Sequence, residues 1–368
     1  MIFSRLSPLL KLPLLQSLTR DALLRMDPET AHGATINALR LGLSPEQDHA
    51  DPAELKTSLV GLELKNPIGM AAGFDKNAEV PVPLARMGFG MVEIGTVTPR
   101  PQIGNPKPRL FRIPEAEGVI NRMGFNNEGH EAVFRRLKGL HVPAVLGVNI
   151  GANKDSEDFV ADYVAGVLRF AEVADYLTVN ISSPNTPGLR NLQGDEALRR
   201  LLGEVLKARS KAKVRVPVLL KLAPDLDEAA LDGIARVIGE TDLDGLIVSN
   251  TTISRDPVLD MENATQTGGL SGMPLFSLAT QKLAQVRQRV GSLPIIGVGG
   301  IHSPETAVEK FEAGANAIQL YSALVFGGLD LLERIKRGLL AAVRAQGKTN
   351  VAELVGRTTD SWARGGTR

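Results

Sequence analysis

The sequence contains no cysteine, and this absence alone removes several classes of chemistry. Disulfide bonds, thiolate metal sites, iron–sulfur clusters and cysteine nucleophiles are all excluded. Histidine is also scarce, and the five histidines at positions 32, 49, 130, 141 and 302 never fall at the spacing of metal ligands. We therefore expect no bound metal.

The 368-residue chain also lacks an excess of charge. Its formal net charge is +1, and 43% hydrophobic with 23% charged residues is ordinary for a globular protein. No stretch interleaves basic and aromatic residues in the way of a nucleic-acid surface, so we expect no nucleic-acid partner. The length allows one large domain or two ordinary ones.

A long apolar run is missing even from the leucine-rich first 25 residues. Pro8, Pro13 and several basic residues interrupt this segment, so it lacks the roughly 18 apolar residues of a spanning helix. No cleavage site of small residues follows an apolar core, as a signal peptide would require. A segment of this kind either lies in a membrane interface or packs as a helix on its own domain, and both remain open.

A second helix is predicted to begin at Asp27, which can cap it, with Pro28 at the first helical position. Gly42 and Pro45 predict its end. The polar, proline-containing residues 43–53 are interpreted as a linker, which makes residues 1–45 a small helical extension.

From about residue 55, short apolar runs alternate with amphipathic stretches of helical length, as in parallel strands joined by helices. There are eight runs, the number that closes a (β/α)8 TIM barrel. The predicted strands are Ile68–Ala72, Met91–Ile94, Ala144–Ile150, Tyr176–Asn180, Val216–Leu222, Gly245–Ser249, Pro294–Val298 and Ala317–Leu320.

Three further segments complete the predicted α/β fold. Thr57–Val60 and Leu62–Leu64 form a hairpin below the barrel, and residues 96–140 make an excursion over its top. The barrel itself is placed at residues 55–350. The polar residues 356–368 are predicted to form a flexible tail.

Each predicted strand ends in glycine or in a side chain that forms hydrogen bonds. Chemistry in such barrels gathers at the carboxyl ends of the strands, so we expect one shared binding site there. The densest stretch is residues 178–190, TVNISSPNTPGLR, where two prolines and a glycine fix the backbone around Ser183 and Asn185. This pattern favours a catalytic loop, although an ordinary turn-rich connection has the same composition.

Two other strand ends suggest an anionic ligand. Lys221 lies in the apolar run VPVLLKLAPD, and a buried lysine is costly unless it meets an anion. That partner could be an electron-rich cofactor, a carbonyl substrate forming a Schiff base, or a neighbouring acid such as Asp225. The glycines of GVGGI, in the seventh loop, suit a phosphate held by backbone amides.

Nine motifs in the same order resemble dihydroorotate dehydrogenases. The resemblance spans residues 27 to about 340, and INRMGFNN and NISSPNTPGLR are its most specific parts. The motifs are AAGFDKN (71–77), EIGTVTP (93–99), INRMGFNN (120–127), VNISSPNTPGLR (179–190), LKLAPD (220–225), SNTT (249–252), TGGLSG (267–272), IIGVGGI (295–301) and QLYSAL (319–324).

The family divides at its catalytic base, which is a cysteine in one cytosolic class and a serine in the class that reduces membrane quinone. This chain has no cysteine, has Ser183 and has an N-terminal extension, so it resembles the quinone-dependent class. The resemblance implies oxidation of (S)-dihydroorotate to orotate in pyrimidine (UMP) biosynthesis, with Ser183 as the base and flavin N5 as the hydride acceptor.

The resemblance also implies where each ligand binds. Lys221 would lie at the pyrimidine edge of FMN, where negative charge develops on reduction, and Thr186 and Phe125 would lie beside Ser183. The FMN residues would be Ala72, Gly73, Thr96, Asn149, Asn180, Lys221, Ser249, Gly272, Gly300, Tyr321 and Ser322. The residues that bind dihydroorotate or orotate would be Lys76, Asn121, Asn180, Asn185, Asn250 and Thr251, together with the backbone of Asn121, Arg122, Met123, Gly124 and Phe125.

His32 and Arg112 match family positions near the quinone head group. The N-terminal helices would then dock peripherally on the cytoplasmic side of a bacterial inner membrane. Three alternatives remain open: a soluble electron acceptor, a flavin-free Schiff-base lyase, and a membrane-associated binding protein without turnover.

Overall fold

The fold is taken from a computed structural model that describes residues 13–366. Eight parallel strands form the core of the fold. They are β3 (Ile68–Met70), β4 (Met91–Val97), β7 (Val145–Ile150), β8 (Tyr176–Asn180), β9 (Val218–Leu222), β10 (Gly245–Val248), β12 (Ile295–Val298) and β13 (Ala317–Leu320). They close into a barrel in the order β10-β12-β13-β3-β4-β7-β8-β9, which confirms the predicted TIM barrel.

Helices follow the barrel strands and cover their outer faces. They are α3 (Pro81–Arg86), α4 (Gly129–Leu137), α5 (Phe159–Phe170), α6 (Asp195–Lys211), α7 (Glu228–Gly239), α8 (Phe276–Val290), α9 (Pro304–Ala313), α10 (Ser322–Gly327) and α11 (Leu331–Ala345). Their apolar faces and the outer faces of the strands form the large hydrophobic core. Burial of this apolar surface is the main force that stabilises the barrel.

The predicted hairpin closes the amino-terminal end of the barrel. Its strands are β1 (Thr57–Leu59) and β2 (Leu62–Leu64), which pair antiparallel. Leu59 and Leu64 are buried in a separate apolar cluster with Met91, Tyr176 and other residues inside the barrel. The barrel is therefore closed at this end, and a ligand can enter only from the opposite one.

The predicted excursion forms a small sheet above the opposite end. Strands β5 (Leu110–Ile113) and β6 (Gly118–Asn121) pair antiparallel, and β11 (Gly269–Gly272) adds to β6. The third strand comes from the loop after β10 and was not predicted. Its short, glycine-containing sequence carries no alternating pattern, so only pairing with β6 makes it a strand.

Two N-terminal helices, α1 (Pro13–Arg25) and α2 (Pro28–Arg40), pack beside the barrel mouth. The predicted start of α2 is confirmed, because the Asp27 carboxylate accepts a hydrogen bond from Thr30 N at 2.9 Å. Such a cap stabilises a helix by about 1 kcal/mol. Predictions for residues 1–12 lie outside the described residues.

The segment interpreted as a linker, residues 43–53, is held firmly on the barrel. Asp51 forms an ion pair of 2.8 Å with Lys336 of α11, and both side chains are almost fully buried. Asn66 also donates to Asp51, at 2.6 Å. Polar composition suggested a free connection, but these polar side chains have buried partners.

The chain end also differs from the flexible tail that its composition predicts. Residues Thr359–Ala363 form helix α12, which packs on α8. The Trp362 ring meets Phe276 edge-to-face with the ring centroids 5.8 Å apart, and Thr359 Oγ1 donates to Ala313 O at 3.1 Å. One aromatic anchor therefore orders a segment that is otherwise polar.

Candidate active site

A cavity of about 600 Å³ opens at the carboxyl ends of the barrel strands and extends beneath α1 and α2. Nearly all of the residues predicted to bind FMN, dihydroorotate or quinone line this cavity. The predicted residues that line it are His32, Ala72, Gly73, Lys76, Thr96, Arg112, Asn121, Met123, Gly124, Phe125, Asn180, Ser183, Asn185, Lys221, Ser249, Asn250, Thr251, Gly272, Gly300, Tyr321 and Ser322.

Two of the residues predicted to bind FMN or dihydroorotate do not line the cavity. Asn149 is fully buried below it, where its amide donates to Glu93 at 2.7 Å and accepts from Thr96 Oγ1 at 2.6 Å. The Arg122 side chain turns away, with its guanidinium over the Phe111 ring and a hydrogen bond to Gln266. The resemblance implies a role for the Arg122 backbone, and that role does not need its side chain.

Lys221 projects from β9 into the barrel and is only 5% exposed. Among the residues described, no acid lies within ion-pair distance of its amine, and Asp225 instead pairs with Arg190 at 2.8 Å. The neighbouring-acid alternative is thus wrong for Asp225. Burial lowers the pKa of Lys221, and the charge of Glu93 opposes this shift. A buried cation without a direct counter-ion favours an anionic ligand in the cavity.

Glu93 anchors a polar layer beneath the cavity, and sequence reasoning missed it. Its carboxylate accepts hydrogen bonds from Tyr176 OH at 2.9 Å, Gln319 Nε2 at 2.9 Å and Asn149 Nδ2. Glu93 and its three partners come from four different strands, so they meet only because the barrel closes. The position of Glu93 in EIGTVTP and of Gln319 in QLYSAL was the available signal.

The loop after β8 holds Ser183 in a buried position at the cavity wall. Ser183 Oγ accepts a hydrogen bond from Asn185 N at 3.2 Å, and the preceding Asn180 carbonyl accepts one from Tyr163 OH at 2.6 Å. The Thr186 hydroxyl is buried without a hydrogen-bond partner in the described part of the chain. A serine hydroxyl therefore faces the cavity from a closely supported backbone.

Side-chain amides form the wall next to Ser183. Asn185 Nδ2 donates to Asn121 O at 3.2 Å, which joins the β8 loop to the end of β6. Asn250 Nδ2 donates to Ser182 Oγ at 2.9 Å. Amide groups both donate and accept, so this wall suits a small ring with amide edges.

Lys76 supplies a cation near this wall. Its amine donates to Gly73 O at 2.8 Å and lies 3.5 Å from His32 Nε2. Burial lowers the pKa of Lys76 to about 8, although the carboxylates of Glu29 and Asp75 raise it. The amine is therefore largely charged at neutral pH and can bind an anion.

The opposite end of the cavity is made of glycine backbone and hydroxyl groups. Gly300 has a φ of +76°, and a Cβ there would lie 2.3 Å from Phe276 N. Only glycine lets the β12 loop approach α8 so closely. Ser322 Oγ lies 2.7 Å from Ser271 Oγ, so two hydroxyl groups stand at this end. Backbone amides and hydroxyls of this kind suit a phosphate.

The entrance beneath the N-terminal helices is mostly apolar and contains His32 and Arg112. Arg112 donates to the carbonyls of Leu23, Leu24 and Met26, and so caps the carboxyl end of α1. His32 packs edge-to-face on Phe74, and burial lowers its pKa to about 3. The two residues predicted for the quinone site thus supply a neutral imidazole and one guanidinium to this entrance.

Across residues 13–366, no helix is both long enough and apolar enough to cross a bilayer.

A closed parallel barrel with one deep cavity at the carboxyl ends of its strands defines a (β/α)8 barrel enzyme. The family model described as dihydroorotate dehydrogenase matches residues 54–343. The chain therefore belongs to the dihydroorotate dehydrogenase family, and the resemblance seen in the motifs is confirmed.

Relatives and solved structures agree over most of the chain. A protein of Rhizobium johnstonii named dihydroorotate dehydrogenase (quinone) is 55% identical over 94% of this chain and 97% of its own length. A protein of Brucella anthropi with the same name is 54% identical over 95% of this chain and 98% of its own. The crystal structure of DHODH from Eimeria tenella in complex with ferulenol is 39% identical, with a TM-score of 0.87 over 90% of this chain and 95% of that one.

Proposed function

We propose that this protein oxidises (S)-dihydroorotate to orotate with FMN as its cofactor and passes the electrons to a membrane quinone. One observation carries the proposal. Ser183, the amide wall, the Lys76 cation and the unpaired Lys221 all face a single cavity that also opens beneath the N-terminal helices. The names of the relatives from Rhizobium and Brucella support the same reaction and acceptor.

The residues around the cavity fit FMN. Gly300 and Ser322 would hold the phosphate, and Lys221 would lie where negative charge develops on the ring. Thr96 and Asn180 are joined by a hydrogen bond of 3.0 Å and would contact the ring from the barrel floor. When bound, FMN supplies the hydride acceptor and the link to a second electron acceptor.

Dihydroorotate is a small anionic ring with amide edges, and the amide wall matches it. Asn121, Asn185, Asn250 and Thr251 would bind its amide groups, and Lys76 would bind its carboxylate. A site built from such polar groups also rejects analogues that lack the matching groups, because its own amides would then stay unpaired.

Ser183 would remove the proton from C5 as the hydride leaves C6. A serine hydroxyl is a weak base, so its position and its proton outlet matter more than its pKa. The unpartnered Thr186 hydroxyl in the same loop is suited to relay that proton, and Phe125 of the cavity wall would exclude bulk water. Both roles agree with the family resemblance.

Quinone would enter through the apolar opening beneath α1 and α2. The apolar residues that line this opening suit an apolar acceptor, and His32 and Arg112 would bind its head group. The leucine-rich, basic N-terminus would dock on the cytoplasmic face of a bacterial inner membrane. Because electrons then leave through the membrane, a soluble acceptor such as NAD or fumarate should not replace quinone.

The two half-reactions test the proposal separately. Purified protein loaded with FMN is mixed anaerobically with dihydroorotate, and the loss of flavin absorbance is followed. Quinone, NAD or fumarate is then added to the reduced protein, and we expect rapid recovery of absorbance with quinone alone. A colourless protein that takes up no FMN would instead favour the Schiff-base lyase or the binding protein.

A further inference from the structure

We propose that Arg190, held by Asp225, is a positioning residue that aligns Ser183 with the substrate. The inference rests on the proposed function. It adds a pair of residues that would act through Ser183 and would contact neither the flavin nor the substrate. Arg190 closes the motif NISSPNTPGLR, and Asp225 closes LKLAPD.

The Arg190 guanidinium connects three loops at once. Its Nε donates to Ser182 O at 3.0 Å, and its Nη2 donates to Thr251 O at 3.2 Å. Its Nη1 donates to Asp225 Oδ2 at 2.8 Å. The three acceptors lie after β8, β10 and β9, so one side chain joins the loops that follow three adjacent strands.

Asp225 is held from the other side by the loop after β10. Its carboxylate accepts a hydrogen bond from Thr252 Oγ1, and Ile253 N lies 3.3 Å from each of its oxygens. The Arg190 and Asp225 side chains are only 23% and 17% exposed. A partly buried, hydrogen-bonded pair of this kind resists rearrangement more than a surface ion pair does.

The two backbone acceptors of Arg190 are next to the chemistry. Ser182 O belongs to the peptide that precedes Ser183, so holding it fixes the direction in which Ser183 leaves the backbone. Thr251 is a predicted substrate residue, so the same guanidinium sets the distance between base and substrate. A weak base depends strongly on alignment, and displacement by 1 Å can lower a rate about 10²-fold.

A separate contact supports the far end of the same loop. Gln193 Oε1 accepts a hydrogen bond from Ala223 N at 3.1 Å, and its Nε2 donates to the Arg190 carbonyl at 3.4 Å. Neither contact uses the Arg190 guanidinium. Residues predicted to hold the FMN phosphate, Gly300 and Ser322, lie after β12 and β13. Weakening the Arg190 contacts should therefore disturb Ser183 without releasing FMN.

Two conservative substitutions test the Arg190–Asp225 pair, and a third serves as a matched control. Arg190→Lys keeps the charge but cannot reproduce three hydrogen bonds from a planar fork, and Asp225→Asn keeps the shape of the partner without its charge. Arg199→Lys is the control, because Arg199 forms an exposed ion pair with Glu240 on the outer helices. Circular dichroism and FMN affinity establish that each variant is folded.

For Arg190→Lys we expect flavin reduction by dihydroorotate to slow by about 10- to 100-fold. FMN affinity and the rate of reoxidation by quinone should stay within about twofold of wild type. Asp225→Asn should change the same rate in the same direction, and Arg199→Lys should change nothing.

A double variant separates alignment from a general structural effect. If Arg190 acts through Ser183, then Arg190→Lys should slow flavin reduction little further once Ser183→Ala is present. A full additional loss in the double variant would overturn the inference, as would an unchanged rate in Arg190→Lys alone. Parallel losses of FMN affinity and of both half-reactions would also overturn it. If wild-type protein with FMN is not reduced by dihydroorotate, the proposed function itself fails.

Discussion

Ser183 lies in a loop that is held by residues far away in the chain. Tyr163 of α5 donates to the Asn180 carbonyl, Asn250 donates to Ser182 Oγ, and Asn185 reaches Asn121 O. The prolines restrict the loop locally, but they do not decide which way the hydroxyl points. That direction is a result of these long-range contacts.

Replacing Ser183 with alanine tests its role as the base. The Ser183→Ala variant should bind FMN normally and be reduced by dihydroorotate about 10²- to 10⁴-fold more slowly, the usual contribution of a general base. Stopped-flow absorbance at the flavin band measures this rate. Ser210→Ala, which alters an exposed serine of α6, is the control. Unchanged reduction kinetics would remove Ser183 from the mechanism.

The pKa of Lys76 predicts how ligand affinity depends on pH. Burial lowers this pKa to about 8, so the free protein loses the Lys76 charge as the pH rises through that value. Orotate should therefore bind about tenfold more weakly at pH 9 than at pH 6.5. Titration of the flavin absorbance with orotate measures the affinity.

The control for this pH dependence is Lys76→Arg, whose guanidinium stays charged throughout the range. Its orotate affinity should be nearly constant from pH 6.5 to pH 9. An equally steep loss of affinity in Lys76→Arg would show that another group causes the effect.

Helix α2 is joined to the barrel excursion by a partly buried ion pair. Arg109 donates to both oxygens of Glu29, at 3.1 and 2.7 Å, and also to the carbonyls of Ile103 and Asn105. Asn105 in turn donates to Arg122 O and Met123 O. The helix that carries His32 is therefore connected to the backbone that the resemblance assigns to the substrate.

Despite this connection, we expect the N-terminal helices to be unnecessary for flavin reduction by dihydroorotate. Deletion of residues 1–45 should leave flavin reduction by dihydroorotate within a few-fold of the full chain, because Ser183 and the amide wall belong to the barrel. Reoxidation by quinone should fall at least tenfold, because the deletion removes His32 and the apolar entrance. The two rates are measured on the same anaerobic sample.

Two comparisons complete the deletion experiment. A small polar oxidant that needs no apolar entrance should still reoxidise the shortened protein. If quinone reoxidises the shortened protein as fast as the full chain, then the entrance beneath α1 and α2 is not the quinone path.

A layer of polar side chains inside the barrel supports the floor of the cavity. The polar layer around Glu93 lies directly beneath Thr96 and Asn180, and it joins β4, β7, β8 and β13. A cofactor that fills the mouth therefore rests on groups from half of the barrel. Its binding should stabilise the whole fold rather than one loop.

Addition of FMN to cofactor-depleted protein should raise the melting temperature. Free FMN at about 100 times its dissociation constant adds about 2.7 kcal/mol to the free energy of unfolding. Differential scanning calorimetry measures the shift over a series of FMN concentrations. Riboflavin, which lacks the phosphate, is the control and should give a smaller shift at equal concentration. Equal shifts would contradict the phosphate site near Gly300 and Ser322.

Local pattern was enough to predict the eight barrel strands, the basal hairpin and the start of α2. Strand and helix periodicity, turn residues and capping residues act over a few positions, so they can be read from the sequence alone. The same reasoning selected Ser183, Asn185 and Lys221, because the carboxyl ends of parallel strands must converge when a barrel closes. Cavity residues such as His32, Arg112 and Asn121 were selected by the family resemblance instead.

The features that the sequence did not predict all depend on distant partners. β11 exists because it pairs with β6, and α12 is ordered because Trp362 packs on Phe276.

Motifs therefore determined which residues reach the mouth of the barrel, and the tertiary contacts decided what each side chain does there. Lys221 shows the difference, since Asp225 was an equally available partner four residues along the chain. The fold places Asp225 beside Arg190 instead and leaves the Lys221 amine facing the cavity. Ion pairs and hydrogen bonds depend on distances of a few ångströms, and only the closed barrel sets those distances.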